Sequence, residues 1–299
     1  MSDADGPDHD TSHDMGDLDV VADGLCFPEG PRWHAGALWF SDVYAGEVLR
    51  VDPDTGACEV AAALDTAPCG LGFLPDGRLL IASGHDRIIY RREPDGSLSV
   101  HADLSSLAAW HLNDMFVDRH GRAYVGDYGD DTAPPTPPHP ADLILVEPDG
   151  TARPVADGMM FANGIVATAD GGTLVVAETR AAPGRLTAFT VADDGSLSAR
   201  RTLCTFAPTE FPDGIAIDAA DNIWVASPFS GEVLRVTPEG AIDRRIAAPH
   251  PYAVALRSLQ AGGSGRSPHD ELFVCTAADW RPERALADRG GRVVRITLG

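Results

Sequence analysis

Six residues recur at one position of a repeated pattern, and four of them carry side-chain oxygen. Taking the residue just before the Gly, Asp or Val that opens each apolar run gives Glu29, Cys69, Asn113, Asn163, Asp213 and Ala253, separated by 40, 44, 50, 50 and 40 residues. Two carboxylates and two amides brought to one point are costly alone, because like charges oppose each other's ionisation and buried amides need partners. A divalent cation removes both costs. An all-oxygen set with two negative charges suits a hard ion, so one divalent metal is expected on Glu29, Asn113, Asn163 and Asp213, Ca²⁺ first, with Zn²⁺, Mn²⁺ and Mg²⁺ as alternatives. Four protein ligands leave coordination positions for water and substrate, the condition for metal catalysis. Cys69 reads as a small filler of the same wall or, with zinc, as a fifth ligand. The competing reading of any single member is a turn cap, since Asn-Gly and Asp-Gly are common turn pairs. Four in register on separate repeats favour the metal.

The elements that must position these residues are short apolar runs separated by the turns 53-PDTG, 75-PDG, 94-PDG, 148-PDG, 193-DDG and 238-PEG. This is an all-β texture. The segments 27-FPEGPRWHAGALWFSD, 67-APCGLGFLPDGRLLIAS, 111-HLNDMFVDRHGRAYVGD, 161-FANGIVATADGGTLVVAE, 211-FPDGIAIDAADNIWVAS and, more loosely, 251-PYAVALRSL with 271-ELFVCTA align as strand, turn, strand. Most continue into two further strands, and four strands per unit is the content of a propeller blade. The expected fold is therefore all-β, a six-bladed β-propeller over residues 18–299. The last unit lacks one outer strand, which 18-LDVVADG can supply to close the ring. The inner strands begin near the central axis, so the six recurring residues should converge there. The segment 103-DLSSLAAW is the one expected short helix, and 131-DTAPPTPPHPAD a long loop. Residues 1–17 hold six aspartates and no basic residue, and read as a disordered acidic tail.

The motifs EGPRW (29–33), LNDMFVD (112–118), ANGI (162–165) and PDGIAID (212–218), in that order and spacing, resemble the gluconolactonase, regucalcin (senescence marker protein) and luciferin-regenerating-enzyme family over about residues 20–299. The resemblance implies a six-bladed propeller with a divalent ion on its axis, held by Glu29, Asn163 and Asp213. Asn113 would lie nearby as ligand or substrate contact. It also implies hydrolysis of a lactone or related ester, with Asp213 as general base. The well-known animal members carry an arginine two residues before the Asn of the ND motif, where this chain has His111. A bidentate donor is thus replaced by a ring that titrates near pH 6.5 when unperturbed.

Strand alternation puts His111 on the face of Asn113, and hence toward the channel, as a substrate contact or as a residue that packs behind the site. Asp127 and Tyr128, at the end of the same hairpin, are the expected pocket wall. Asp114 should point to the other face, engaged in a turn hydrogen bond or else supporting the ligand residues from behind. The chemistry expected is opening of a small-molecule lactone, a sugar lactone or similar cyclic ester, by a metal-polarised carbonyl and Asp213-activated water. The alternatives are ester or organophosphate hydrolysis on the same ion, or a non-enzymatic metal-stabilised binding propeller.

Composition excludes other chemistry. The chain has 23 basic residues, every one arginine, so Schiff-base and P-loop mechanisms have no lysine to use. A net charge of -22 opposes binding to nucleic acid or anionic membranes. No G-x-S-x-G elbow is present, and no run of 18 apolar residues could span a bilayer. Five widely spaced cysteines without a C-x-x-C pair fit a reducing cytoplasm. Monomer and homodimer both remain open.

Overall fold

The computed structural model describes residues 19–132, 136–259 and 269–298. The acidic tail at 1–17 and part of the proline-rich loop lie outside the described residues. The strands form six four-stranded antiparallel sheets, five of them built from consecutive strands. The sixth contains Pro251–Leu259, His269–Thr276 and Gly291–Leu298, with Asp19–Leu25 added at the outside. Val20 pairs with Val294 across that seam, and Asp19 meets the Arg295 guanidinium at 2.5 Å. The N-terminal strand thus closes the ring of a six-bladed propeller, as the missing outer strand required.

Burial explains the texture of the sequence. Second strands such as Leu79–Ser83 and Ile223–Ser227 are buried along their whole length, because neighbouring blades cover both faces. They accordingly read as unbroken apolar runs. Outer strands such as Ile242–Ala247 alternate between half-buried and exposed. Leu80, Ala82 and Ile89 of blade 2 pack with Met115, Val125 and Ile144 of blade 3 in one cluster. Each fully buried Leu, Ile or Val of this kind contributes roughly 1.5–3 kcal/mol. Trp33 stacks on Phe273 of blade 6, and Trp224 packs with Leu272 and Val274, so both tryptophans serve blade packing.

One expectation is corrected. The segment 103-DLSSLAAW is a turn, closed by the Leu107 and Ala108 N–H groups on the Leu104 carbonyl, because too few residues follow to propagate a helix. The one α-helix among the described residues, Pro282–Asp288, lies in the loop between the second and third strands of blade 6. Its proline start is a helix signal that the surrounding repeat hides.

Candidate active site

The first strands bring the six recurring residues to one end of the axis. Glu29 lies in Pro28–His34, Cys69 in Pro68–Phe73, Asn113 in Leu112–Val117, Asn163 in Ala162–Ala167 and Ala253 in Pro251–Leu259. Asp213 precedes its strand, fixed by its own N–H on the Ala226 carbonyl at 3.0 Å and by the Gly214 N–H on the Tyr252 carbonyl at 2.8 Å. Glycine after four of the six lets the inner strands crowd the axis. A Cβ at Gly70 would sit 2.5 Å from the Met115 amide nitrogen, and one at Gly214 would sit 2.5 Å from the Ala253 Cβ. The Asn-Gly and Asp-Gly pairs are therefore packing devices at the strand starts.

Asn163 and Asp213 touch directly, the amide Nδ2 donating to Oδ1. The same amide donates to Thr179 Oγ1 at 3.2 Å, and Thr179 is held by the Pro212 carbonyl at 2.7 Å. Asn113 Nδ2 donates to the Ala162 carbonyl at 3.1 Å. Both amides thus engage their nitrogens with protein, and neither amide oxygen accepts a hydrogen bond from the described residues. Glu29 accepts the Gly30 N–H at 3.0 Å. Burial, and then the charge of Asp213, push the Glu29 carboxyl well above its usual range. Asp213 is likewise raised by burial, with the Asn163 hydrogen bond opposing and Asp114 adding. A half-buried and a buried carboxylate that oppose each other's ionisation, beside two free amide oxygens, are an oxygen set that fits a hard divalent cation. Among the described residues no three His, Cys, Asp and Glu side chains gather as a metal cluster. The set at the axis is instead half carboxylate and half amide.

Asp114 plays a part that a turn hydrogen bond would not explain. It is buried and meets Arg32 of blade 1 at 2.5 Å, while Arg32 also donates to the Met115 carbonyl at 2.5 Å. This pair reaches from blade 1 to blade 3 past the glycines of blade 2, beside Asn113. The signal was in the sequence as an arginine three residues after Glu29 and an aspartate directly after Asn113, but only the fold shows that they meet.

His111 stands at the rim, its ring 4.4 Å from His85 and 4.7 Å from Trp110. Burial pushes the imidazole down to about 4, with His85 and Arg87 adding and Asp131 opposing. Burial thus works against the charge that an unperturbed imidazole would gain in the working range. Tyr128 donates its backbone N–H to the His111 carbonyl at 3.0 Å, and its ring stacks on Phe161 at 4.4 Å. Cys69 is a buried thiol pushed up to about 12 by burial and then by Glu29, and it donates to the Ala67 carbonyl. It is the neutral filler of the wall.

Asp127 is corrected from pocket wall to latch. It is fully buried, and its carboxylate accepts the N–H groups of Trp110 at 3.1 Å and Gly129 at 2.5 Å. The same device recurs at the same strand end in other blades. Asp42 accepts the N–H groups of Cys26 at 3.0 Å and Phe27 at 2.7 Å, and Glu178 accepts that of Met160 at 2.9 Å. A polar residue closing each second strand was visible in the alignment as WFSD, YVGD and VVAE. It holds the loop that leads into the first strand, and so the axial residues, in place.

A separate cleft of about 300 Å³ lies at the opposite end of blades 3 and 4. Its arginines are already engaged, Arg122 on Asp118 at 2.8 Å and Arg119 on the Asp170 carbonyl at 3.1 Å. The carboxylates and amides able to do chemistry gather at the axis instead.

Residues 27–278 match the family described as the SMP-30/Gluconolactonase/LRE-like region. The chain belongs to this family. A pentonolactonase, XacC, of Haloferax volcanii is 30% identical over 266 residues, which span 86% of this chain and 84% of that protein. The 6-deoxy-6-sulfogluconolactonase of Pseudomonas putida is 28% identical over 90% of this chain and 89% of its own. Among solved structures, the calcium-binding protein regucalcin from Agrobacterium tumefaciens superposes with a TM-score of 0.74 at 20% identity, covering 93% of this chain and 92% of that one. At that identity the likeness speaks to the fold.

Proposed function

We propose that this family member is a divalent-cation-dependent lactonase that opens a small cyclic ester with water. The observation that carries the reading is the pairing of Glu29 and Asp213, two carboxylates raised by burial, beside amide oxygens that accept nothing from the described residues. The lactonase names of the two relatives support the substrate class, and the calcium-binding regucalcin supports the ion. Glu29, Asn163 and Asp213 would hold the cation, with Asn113 as fourth ligand or substrate contact. When bound, the ion supplies Lewis-acid polarisation of the ester carbonyl and stabilises the negative charge that grows on its oxygen.

The chain's own residues do the rest. Asp213 takes the proton of the attacking water, and Asn163 holds that carboxylate in one orientation through Nδ2. Thr179 and the Pro212 carbonyl in turn hold Asn163. His111, Trp110 and Tyr128 form an uncharged aromatic rim against which the ring of the substrate is oriented. Residues 18–299 carry this activity as one propeller, without a contribution from the tail. The five free cysteines, four of them buried, support a cytoplasmic setting, and no helix among the described residues is long and apolar enough to cross a membrane.

The rim sets a preference that can be tested. With a neutral ring in place of an arginine, the wild type is expected to show no activity limb from His111 between pH 5 and 8. A His111→Arg variant is expected to raise kcat/KM for anionic lactones about 10-fold relative to neutral ones, the worth of one charge-assisted pair. Steady-state kinetics on one neutral and one carboxylate-bearing lactone measure the ratio, and an unchanged ratio assigns His111 to packing alone.

A further inference from the structure

Of the five tyrosines, three give their hydroxyls to the protein. Tyr44 donates to the Trp280 carbonyl at 2.6 Å, Tyr90 to Asp86 at 3.0 Å and Tyr124 to the Gly195 carbonyl at 3.0 Å. The hydroxyls of Tyr128 and Tyr252 have no acceptor among the described residues. Tyr252 is the more enclosed, with 6% of its surface exposed, and its ring lies edge-on to Phe27 at 4.7 Å. Its own carbonyl accepts the Gly214 N–H at 2.8 Å, so its backbone is tied to the residue after Asp213. The charges of Asp213 and then Glu29 are the strongest felt by its phenol. Tyr252 lies in one packed cluster with Phe27 and with Cys69 of the axial ring, and a phenol hydroxyl placed there with no protein acceptor is open to a ligand at the axis.

We propose that Tyr252 is the proton donor to the leaving oxygen in the reaction assigned above, an inference that rests on the lactonase reading. Water oxygen bonds to the ester carbon while its proton passes to the Asp213 carboxylate. The tetrahedral intermediate then collapses, the bond from carbon to ring oxygen breaks, and the electron pair goes to that oxygen. The Tyr252 hydroxyl protonates it. The tyrosinate left behind regains a proton from the protonated Asp213, directly or through water, so that both residues return to their starting forms and one water has been added. Phe27 fixes the ring, and burial together with the nearby carboxylates keeps the hydroxyl protonated until the alkoxide forms.

The role shows in the dependence on the leaving group. An alkoxide needs a proton as it departs, whereas a phenolate, with a conjugate acid near pKa 10, leaves without one. In buffer containing Ca²⁺, Tyr252→Phe is expected to lower kcat for δ-valerolactone about 100-fold and for dihydrocoumarin less than about 3-fold. The substitution keeps the ring on Phe27, so its melting temperature and its calcium-induced rise in Tm should match the wild type. Equal losses on both lactones, a loss confined to KM, or a leaving-group-selective loss in Tyr128→Phe in place of Tyr252→Phe would overturn the assignment while leaving the lactonase reading intact. A wild type inactive on both lactones would instead overturn the lactonase reading, and this one with it.

Discussion

Asp213→Asn lowers kcat on a simple lactone by about 10³-fold or more while the propeller stays folded; that is the expected result. The estimate combines loss of a general base, worth 10²–10⁴-fold, with weaker cation binding. The side chain keeps its volume, and an asparagine oxygen can still accept the Asn163 Nδ2 hydrogen bond. Removing one of two opposed carboxylates also relieves repulsion with Glu29, so the metal-free variant should melt at or above the wild-type temperature. Steady-state rates together with thermal melts check both halves. Activity within a few fold of wild type would remove Asp213 from the chemistry.

Stripped protein should gain several degrees of Tm when Ca²⁺ is added. Binding to the folded state alone stabilises by about 2.7 kcal/mol at a hundredfold excess over Kd, and each kcal/mol moves the Tm of a chain of this size by roughly 2–4 °C. The pH dependence follows from the same carboxylates. Burial raises Glu29 and Asp213 above their unfolded values, so without metal both are neutral and cost nothing at low pH, and stability falls as pH rises through the unfolded toward the folded pKa. The cation offsets that loss, and its effect should be larger at pH 8 than at pH 5. Glu29→Gln and Asp213→Asn should lose most of the shift. Asp76→Asn, Asp149→Asn and Asp194→Asn should keep it, since those carboxylates sit in exposed turns and accept the backbone N–H groups of Arg78, Thr151 and Ser196. Differential scanning fluorimetry at the two pH values reads all of this. An equal response in all five variants would mean that the axial site does not exist.

The ring and the place of its recurring axial residues were legible because a propeller repeats. One alignment of short strands set the blade count, and the same register placed Glu29, Asn113, Asn163 and Asp213 at one end of the axis. What escaped were contacts made between blades. Arg32 and Asp114 are 82 residues apart and meet only because blade 2 narrows to glycine at the axis. Asp127 was misassigned because a carboxylate at a strand end looks the same whether it faces a ligand or two backbone N–H groups. Only its full burial separates the two. His111 was placed at the site from strand alternation, but its charge state depends first on its burial and then on His85 and Arg87 from the preceding blade, which no local pattern reveals. Tyr252 was passed over because it precedes Ala253, the one recurring residue with no polar side chain.

The most direct test of the account is the initial rate of lactone opening by EDTA-treated protein, before and after reloading with Ca²⁺, Mn²⁺, Zn²⁺ or Mg²⁺. The predicted result is negligible hydrolysis in the stripped protein and recovery with at least one of the four ions, Ca²⁺ foremost, on at least one member of a panel spanning alkyl, aryl and hydroxylated lactones. Undiminished activity in EDTA, or no activity with any ion on any lactone, would contradict it.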